Sequence, residues 1–169
     1  MRLIAITTPH FWPGEAEKIE QLLTDGGFWR VHIRKPDADQ AMVERLILSV
    51  APELRRRLSV HYHFGLAHLV GGVHLNARNP IPPEGWTGIV SRSCHSIAEL
   101  DLEADYRFLS PVFDSISKHG YKAAFSIEDL KGKVDHRTFA LGGVAFDRLP
   151  LIQETGFGGA AMLGAAWNG

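Results

Sequence analysis

Apolar residues fall along the chain in short runs, most of them bounded by glycine, proline or charge. The first is Leu3 to Thr7, which stops before Pro9. An unbroken apolar run of this length predicts a strand buried on both faces rather than one turned half to water. Extended segments at 28–34, 58–63, 72–75, 88–92, 105–109, 139–141 and 159–163 repeat the signature and bring the strands to eight. Between them, Glu15 to Thr24 carries Ile19, Leu22 and Leu23 at helical spacing, closed by Asp25-Gly26-Gly27, residues that end helices readily. Residues 39–50 set Met42, Val43, Leu46 and Ile47 on one helical face, and 145–155 reads as a last full helix. Residues 64–70, 96–102 and 126–131 leave room only for brief helical turns, and 76–85 holds three prolines and no helical period.

Eight strands with no hairpin dipeptide between neighbours imply parallel crossovers and an α/β fold. A five-stranded flavodoxin-like sheet is the rival, and the strand count favours a closed (β/α)₈ TIM barrel. Length sharpens the expectation. A barrel of this kind takes about 250 residues, whereas 169 allow one domain over 1–169. A compact barrel with shortened helices and a truncated or missing last helix is therefore expected.

Composition, 45% apolar and 22% charged, is that of an ordinary globular protein and excludes disorder and coiled coil. Eighteen basic against nineteen acidic residues give a charge of −1, so no global field draws the chain to nucleic acid or an anionic membrane, and any anion site must be local. The single cysteine, Cys94, cannot form an internal disulfide, which fits a reducing cytoplasm. No apolar run reaches the 18 residues of a membrane span.

In a (β/α)₈ barrel the chemistry lies where strands end. Alternation puts Arg30, His32 and Arg34 on one strand face and His61 with His63 on one face of the next. Arg34, at the strand mouth, has a guanidinium suited to gripping phosphate through paired N–H bonds; the competing reading is a surface ion pair. Ser115, Ser117 and Lys118 place hydroxyl and ammonium donors in one loop, which is otherwise simply solvated. Glycines at 142–143 and in 156–164 let backbone amides approach a phosphate closely. Nine histidines and the His61-x-His63 pair raise a zinc hydrolase as a different class, but neither the first nor the last strand ends in a further ligand. His74 reads as an inward-facing core histidine.

Val31-His32-Ile33-Arg34, Gly72-Val73-His74-Leu75, Ser93 with His95, Leu141-Gly142-Gly143-Val144 and the glycine-rich last strand together resemble the thiamine phosphate synthase/TenI superfamily. The most specific stretch is Asp105-Tyr106, Pro111-Val112-Phe113, Ser115 and Ser117-Lys118. It is similar to the family's D-Y-x-x-x-G-P-V-F-x-T-x-T-K, with Ser110 at the glycine and serine at both threonines. The resemblance implies a transferase that joins hydroxymethylpyrimidine diphosphate to thiazole phosphate, forming thiamine phosphate and pyrophosphate. Arg34, Lys118 and Ser93 match residues around the leaving pyrophosphate. Ser115, Ser117, Gly143 and the Leu163-Gly164 turn match the thiazole phosphate site, and His32 and His61 stand at substrate-binding positions. The resemblance implies Mg²⁺ and leaves room for a homo-oligomer.

The departures are specific. The family's second-strand motif Q-L-R-x-K reads His32-Ile33-Arg34-Lys35-Pro36 here, so the second cation is displaced by one residue. Tyr62 and Asn79 stand where the family has the carboxylates that hold Mg²⁺, and neither is a good replacement for a hard cation. A TenI-type thiazole tautomerase, which needs neither pyrophosphate nor metal, is the alternative, although Pro111 replaces its acid/base histidine. His61 or His119 could then take the proton-transfer work. A non-catalytic thiazole- or thiamine-phosphate-binding paralogue is the third reading.

Overall fold

Parallel strands form a closed barrel in chain order: β1 (Arg2–Ile6), β2 (Arg30–Ile33), β3 (Leu58–His61), β4 (Gly72–Leu75), β5 (Ile89–Cys94), β6 (Tyr106–Leu109), β7 (Thr138–Ala140) and β8 (Gly159–Met162). The structure, a computed structural model, describes residues 1–114 and 122–167. Helices are short: α1 (Glu15–Thr24), α2 (Gln40–Ser49), α3 (Ile127–Leu130), α4 (Leu149–Thr155) and α5 (Gly164–Trp167), with short 3₁₀ segments elsewhere. The barrel, the shortened helices and the four-residue last helix match the expectation from the sequence. Strand ends differ from it by one or two residues, because pairing rather than side-chain character decides where a ladder stops.

Two compact units make up the chain, residues 5–90 and residues 1–4 with 91–169. In the first, register aligns His32 with Ser59, Ser59 with Gly72 and His61 with His74. Alternation then sorts the side chains. Val31, Ile33, Leu58, Val60, Val73 and Leu75 share the face that α1 and α2 cover with Ile19, Leu22, Leu23, Val43, Leu46 and Ile47, all buried. The opposite face holds Arg30, His32, Ser59, His61 and His74, also buried. Gly72 is required there, since a Cβ would lie 2.3 Å from Ser59 Oγ and 3.0 Å from the Arg30 guanidinium. Arg30 in turn donates to Leu58 O at 2.8 Å and Ser59 Oγ at 3.2 Å.

Past the end of α2, Pro52–Arg57 forms a separate 3₁₀ segment. Pro52 cannot continue a helix. The turn lets Arg57 donate to the carbonyls of Leu23, Phe28 and Trp29 at 2.5–3.0 Å, fixing the end of α1 and the entry to β2.

In the second unit, Tyr106, Phe108 and Phe139 form a buried aromatic cluster with ring centroids 5.1–6.4 Å apart. Phe108 and Phe139 are register partners, and Phe139 pairs with Gly159, where a Cβ would sit 2.2 Å from its ring. No described helix is long and apolar enough to cross a membrane.

Candidate functional site

At the end of β2, Arg34 and Lys35 take opposite fates. Lys35 is fully buried and its ammonium is saturated: it donates to Thr8 O at 2.9 Å, His10 O at 2.8 Å and Glu15 Oε1 at 2.6 Å, and lies 4.6 Å from the Phe11 ring centroid. Burial lowers the Lys35 pKa and raises that of Glu15, each shift opposed by the partner's charge. Lys35 is therefore spent on tying the segment after β1 to the start of α1. Arg34 is anchored through its backbone, with its N–H donating to Thr7 Oγ1 at 2.8 Å. Its half-buried guanidinium has no hydrogen bond or ion pair among the described residues, and its charge reaches His61. A partly desolvated guanidinium has the donor geometry that suits an anion.

Deeper along the same strands lie His32, His61 and His74. His32 Nδ1 and His61 Nε2 share a hydrogen bond of 2.8 Å, and the His61 and His74 rings stack with centroids 4.1 Å apart. Burial pushes the pKa values of His32 and His61 well down; neighbouring positive charge, from His74 and Arg30 at His32 and from His74, His32 and Arg34 at His61, acts in the same direction. Both are neutral imidazoles near pH 7. The alternation expected for His61 and His63 fails: β3 ends at His61, Tyr62 has φ of 65°, and His63 turns away to place Nε2 2.9 Å from Lys35 O. His61 is partnered by His32 and His74 rather than by His63. A signal for the cluster was present in the sequence, because β2, β3 and β4 each contain Val-His, at 31–32, 60–61 and 73–74.

Tyr62 and Asn79, at the positions where the resemblance implies a magnesium site, offer a phenol and an amide. The Arg78 guanidinium lies 5.7 Å from the Tyr62 ring centroid, which adds a cation where a dication would need carboxylates. Asn76 Oδ1 accepts from the amides of Arg78 and Asn79 at 2.9 and 3.1 Å, while its buried Nδ2 has no acceptor among the described residues. This donor set does not fit Mg²⁺, which favours anionic and neutral oxygens in octahedral array.

In the second unit Ser93 is half-buried on β5, beside Cys94 and His95. His95 is exposed; its amide donates to Glu99 Oε2 at 2.6 Å and its Nδ1 lies 3.1 Å from Ser110 O. Cys94 is buried, and burial with the Glu99 charge pushes its thiol pKa up to about 11, so it is no nucleophile. Ser115, Ser117, Lys118 and His119 lie outside the described residues. The chain on either side of them is held by Ala123 N–H to Asp114 Oδ1 at 2.7 Å and Ala124 N–H to Pro111 O at 3.0 Å.

After β7, Gly142 and Gly143 have φ of 91° and 61°, and a Cβ on Gly143 would stand 2.2 Å from Asp114 O. Their carbonyls accept from Phe113 N–H at 3.1 Å and Arg148 Nη1 at 3.0 Å, whereas their amides have no acceptor among the described residues. Consecutive amides in such a turn suit an anion. Leu163 and Gly164 follow β8, with Leu163 exposed and Gly164 opening α5.

The thiamine monophosphate synthase family profile matches residues 3–166. A thiamine-phosphate synthase from Yersinia pestis (strain Pestoides F) is 28% identical over 166 residues, covering 87% of this chain and 76% of the relative. One from Cronobacter sakazakii is 28% identical over 161 residues, covering 85% and 77%. The crystal structure of a thiamine phosphate pyrophosphorylase from Bacteroides thetaiotaomicron superposes with a TM-score of 0.86 at 36% identity, over 99% of this chain and 85% of the other.

Proposed function

Since this chain belongs to the thiamine monophosphate synthase family, we propose that it is a transferase joining hydroxymethylpyrimidine diphosphate to thiazole phosphate, with release of pyrophosphate. The observation that carries the reading is Arg34: a half-buried guanidinium at the end of β2, uncommitted among the described residues. In the proposed reaction the bond from the pyrimidine methylene carbon to the diphosphate oxygen breaks, and pyrophosphate departs with the electron pair. The thiazole nitrogen then donates its lone pair to the carbocation. No covalent enzyme intermediate is needed, so the protein's task is to hold both substrates and neutralise the leaving group with fixed donors.

Arg34, Ser93 and Lys118 take the pyrophosphate in this reading. Ser115, Ser117, the Gly143 amide and the Leu163-Gly164 turn take the thiazole phosphate, and His32 and His61 bound the pyrimidine. No step is routed through Mg²⁺, because Tyr62 and Asn79 supply no carboxylate. The same absence, with Lys35 committed to Glu15, favours a second reading, a thiazole tautomerase or a binder of thiazole or thiamine phosphate. A lone buried thiol is at home in a reducing cytoplasm. Incubating the protein with both precursors, with and without Mg²⁺, and following thiamine phosphate tests the transferase; supplying the thiazole tautomer alone tests the second reading. Thiamine phosphate in the first assay supports the proposal. Tautomer conversion alone, or saturable binding without turnover, overturns it.

A further inference from the structure

Parallel register brings three imidazoles together on adjacent strands. His32, His61 and His74 are 0%, 4% and 0% exposed, and one ring nitrogen from each lies within 4.8 Å of the other two. We propose that this cluster is a three-imidazole binding site for a first-row transition metal dication of the Zn²⁺ type, separate from any magnesium chemistry. Three nitrogens at about 2.0–2.1 Å from a tetrahedral zinc stand about 3.4 Å apart. His32 Nδ1 and His61 Nε2 lie 2.8 Å apart, and one ligand nitrogen from each of the three residues falls within 4.8 Å of the others. Strand pairing sets the three residues on neighbouring ladders in fixed register, so the remaining difference falls to the side-chain torsions.

Ligand chemistry selects the ion. Imidazole suits zinc, cobalt, nickel and copper, whereas magnesium and calcium take oxygen. The rings must be neutral to bind, and their burial away from water disfavours the charged imidazolium. Arg30 and Arg34 place positive charge near the cluster, which makes a bare dication costly and calls for an anionic fourth ligand, hydroxide or a phosphate oxygen. The inference does not rest on the proposed transferase activity and stands or falls separately.

The test uses the full chain stripped with chelator and titrated with Co²⁺, read by visible absorption. We expect one equivalent to bind with a tetrahedral d–d spectrum, Zn²⁺ to displace it, and millimolar Mg²⁺ to leave it in place. His32→Gln and His74→Gln should each weaken Co²⁺ binding about a hundredfold or more, while His68→Gln, at an exposed position, should not. If the interior variants fail to fold, X-ray absorption on the zinc-loaded unaltered chain decides, with three imidazole nitrogens at about 2.0 Å expected. No uptake by the unaltered chain overturns the site. So does uptake that survives His74→Gln in a folded variant, or a zinc shell without three imidazoles.

Discussion

The two compact units use one strand grammar to enclose opposite interiors. In residues 5–90 the inner faces of β2, β3 and β4 carry Arg30, His32, Ser59, His61 and His74, and a buried Lys35–Glu15 pair ties the end of β2 to α1. In the other unit β6 and β7 enclose Tyr106, Phe108 and Phe139, with Gly159 giving way to the Phe139 ring. Both sets lie on regular parallel ladders. The outer faces, Val31, Ile33, Val60 and Val73 in the first unit, bury enough apolar surface to hold the strands, which frees the inner positions for polar groups. Chemistry therefore enters the two units differently. In the first the candidate groups are built into the strands and their ends, and in the second they are Ser93 near the end of β5 and loop positions such as Gly142-Gly143.

The contrast is sharpest in what a single truncation should do. Phe139→Ala should lower stability by about 3–5 kcal/mol through lost burial and a cavity. Lys35→Ala should cost a similar 3–5 kcal/mol for another reason, the orphaned Glu15 carboxylate. Replacing both members, Lys35→Met with Glu15→Leu, should recover most of that loss, and no double replacement could rescue the aromatic unit in the same way. Urea melts measure all three, and a Lys35→Ala cost below about 1 kcal/mol would break the comparison.

Acid should divide the units next. The pKa values of His32 and His61 lie well below the ordinary histidine value when folded, so the unfolded chain binds more protons as pH falls below about 6.5. Stability is full above that pH and declines beneath it, with a slope of up to about 1.4 kcal/mol per pH unit for each ring. Melts of chelator-treated protein between pH 7.5 and 5 check this, and His32→Asn with His61→Asn should flatten the profile. In the other unit Gly143→Ala should cost about 1–3 kcal/mol, from its positive φ and the Asp114 carbonyl in the way, with little change of that cost over the same pH range. The smallest effect belongs to Cys94, which should stay unreactive to a thiol reagent at pH 8 until the protein is unfolded, because its pKa is about 11.

Strand count, helix periods and the crowded strand ends were legible in the sequence because they depend on local pattern. Glu15–Thr24 and Gly72–Leu75 fall where the pattern puts them. The histidine cluster was not legible to the same degree, since it depends on register between strands separated by 29 and 13 positions in the chain. Within one strand, alternation pairs His61 with His63; the positive φ of Tyr62 breaks that alternation, and local pattern carries no trace of it. Lys35 shows the same limit. Its place beside Arg34 hints at a second phosphate ligand, and only the fold reveals that Thr8, His10 and Glu15 already occupy it.

Calorimetry of inorganic pyrophosphate binding to the unaltered chain and to Arg34→Gln tests most directly whether the polar unit holds the leaving group. A charge-assisted contact of about 1.5–3 kcal/mol predicts affinity weaker by about ten- to a hundredfold in the variant, with exposed Arg56→Gln unchanged. Equal affinity in the unaltered chain and Arg34→Gln would contradict the account.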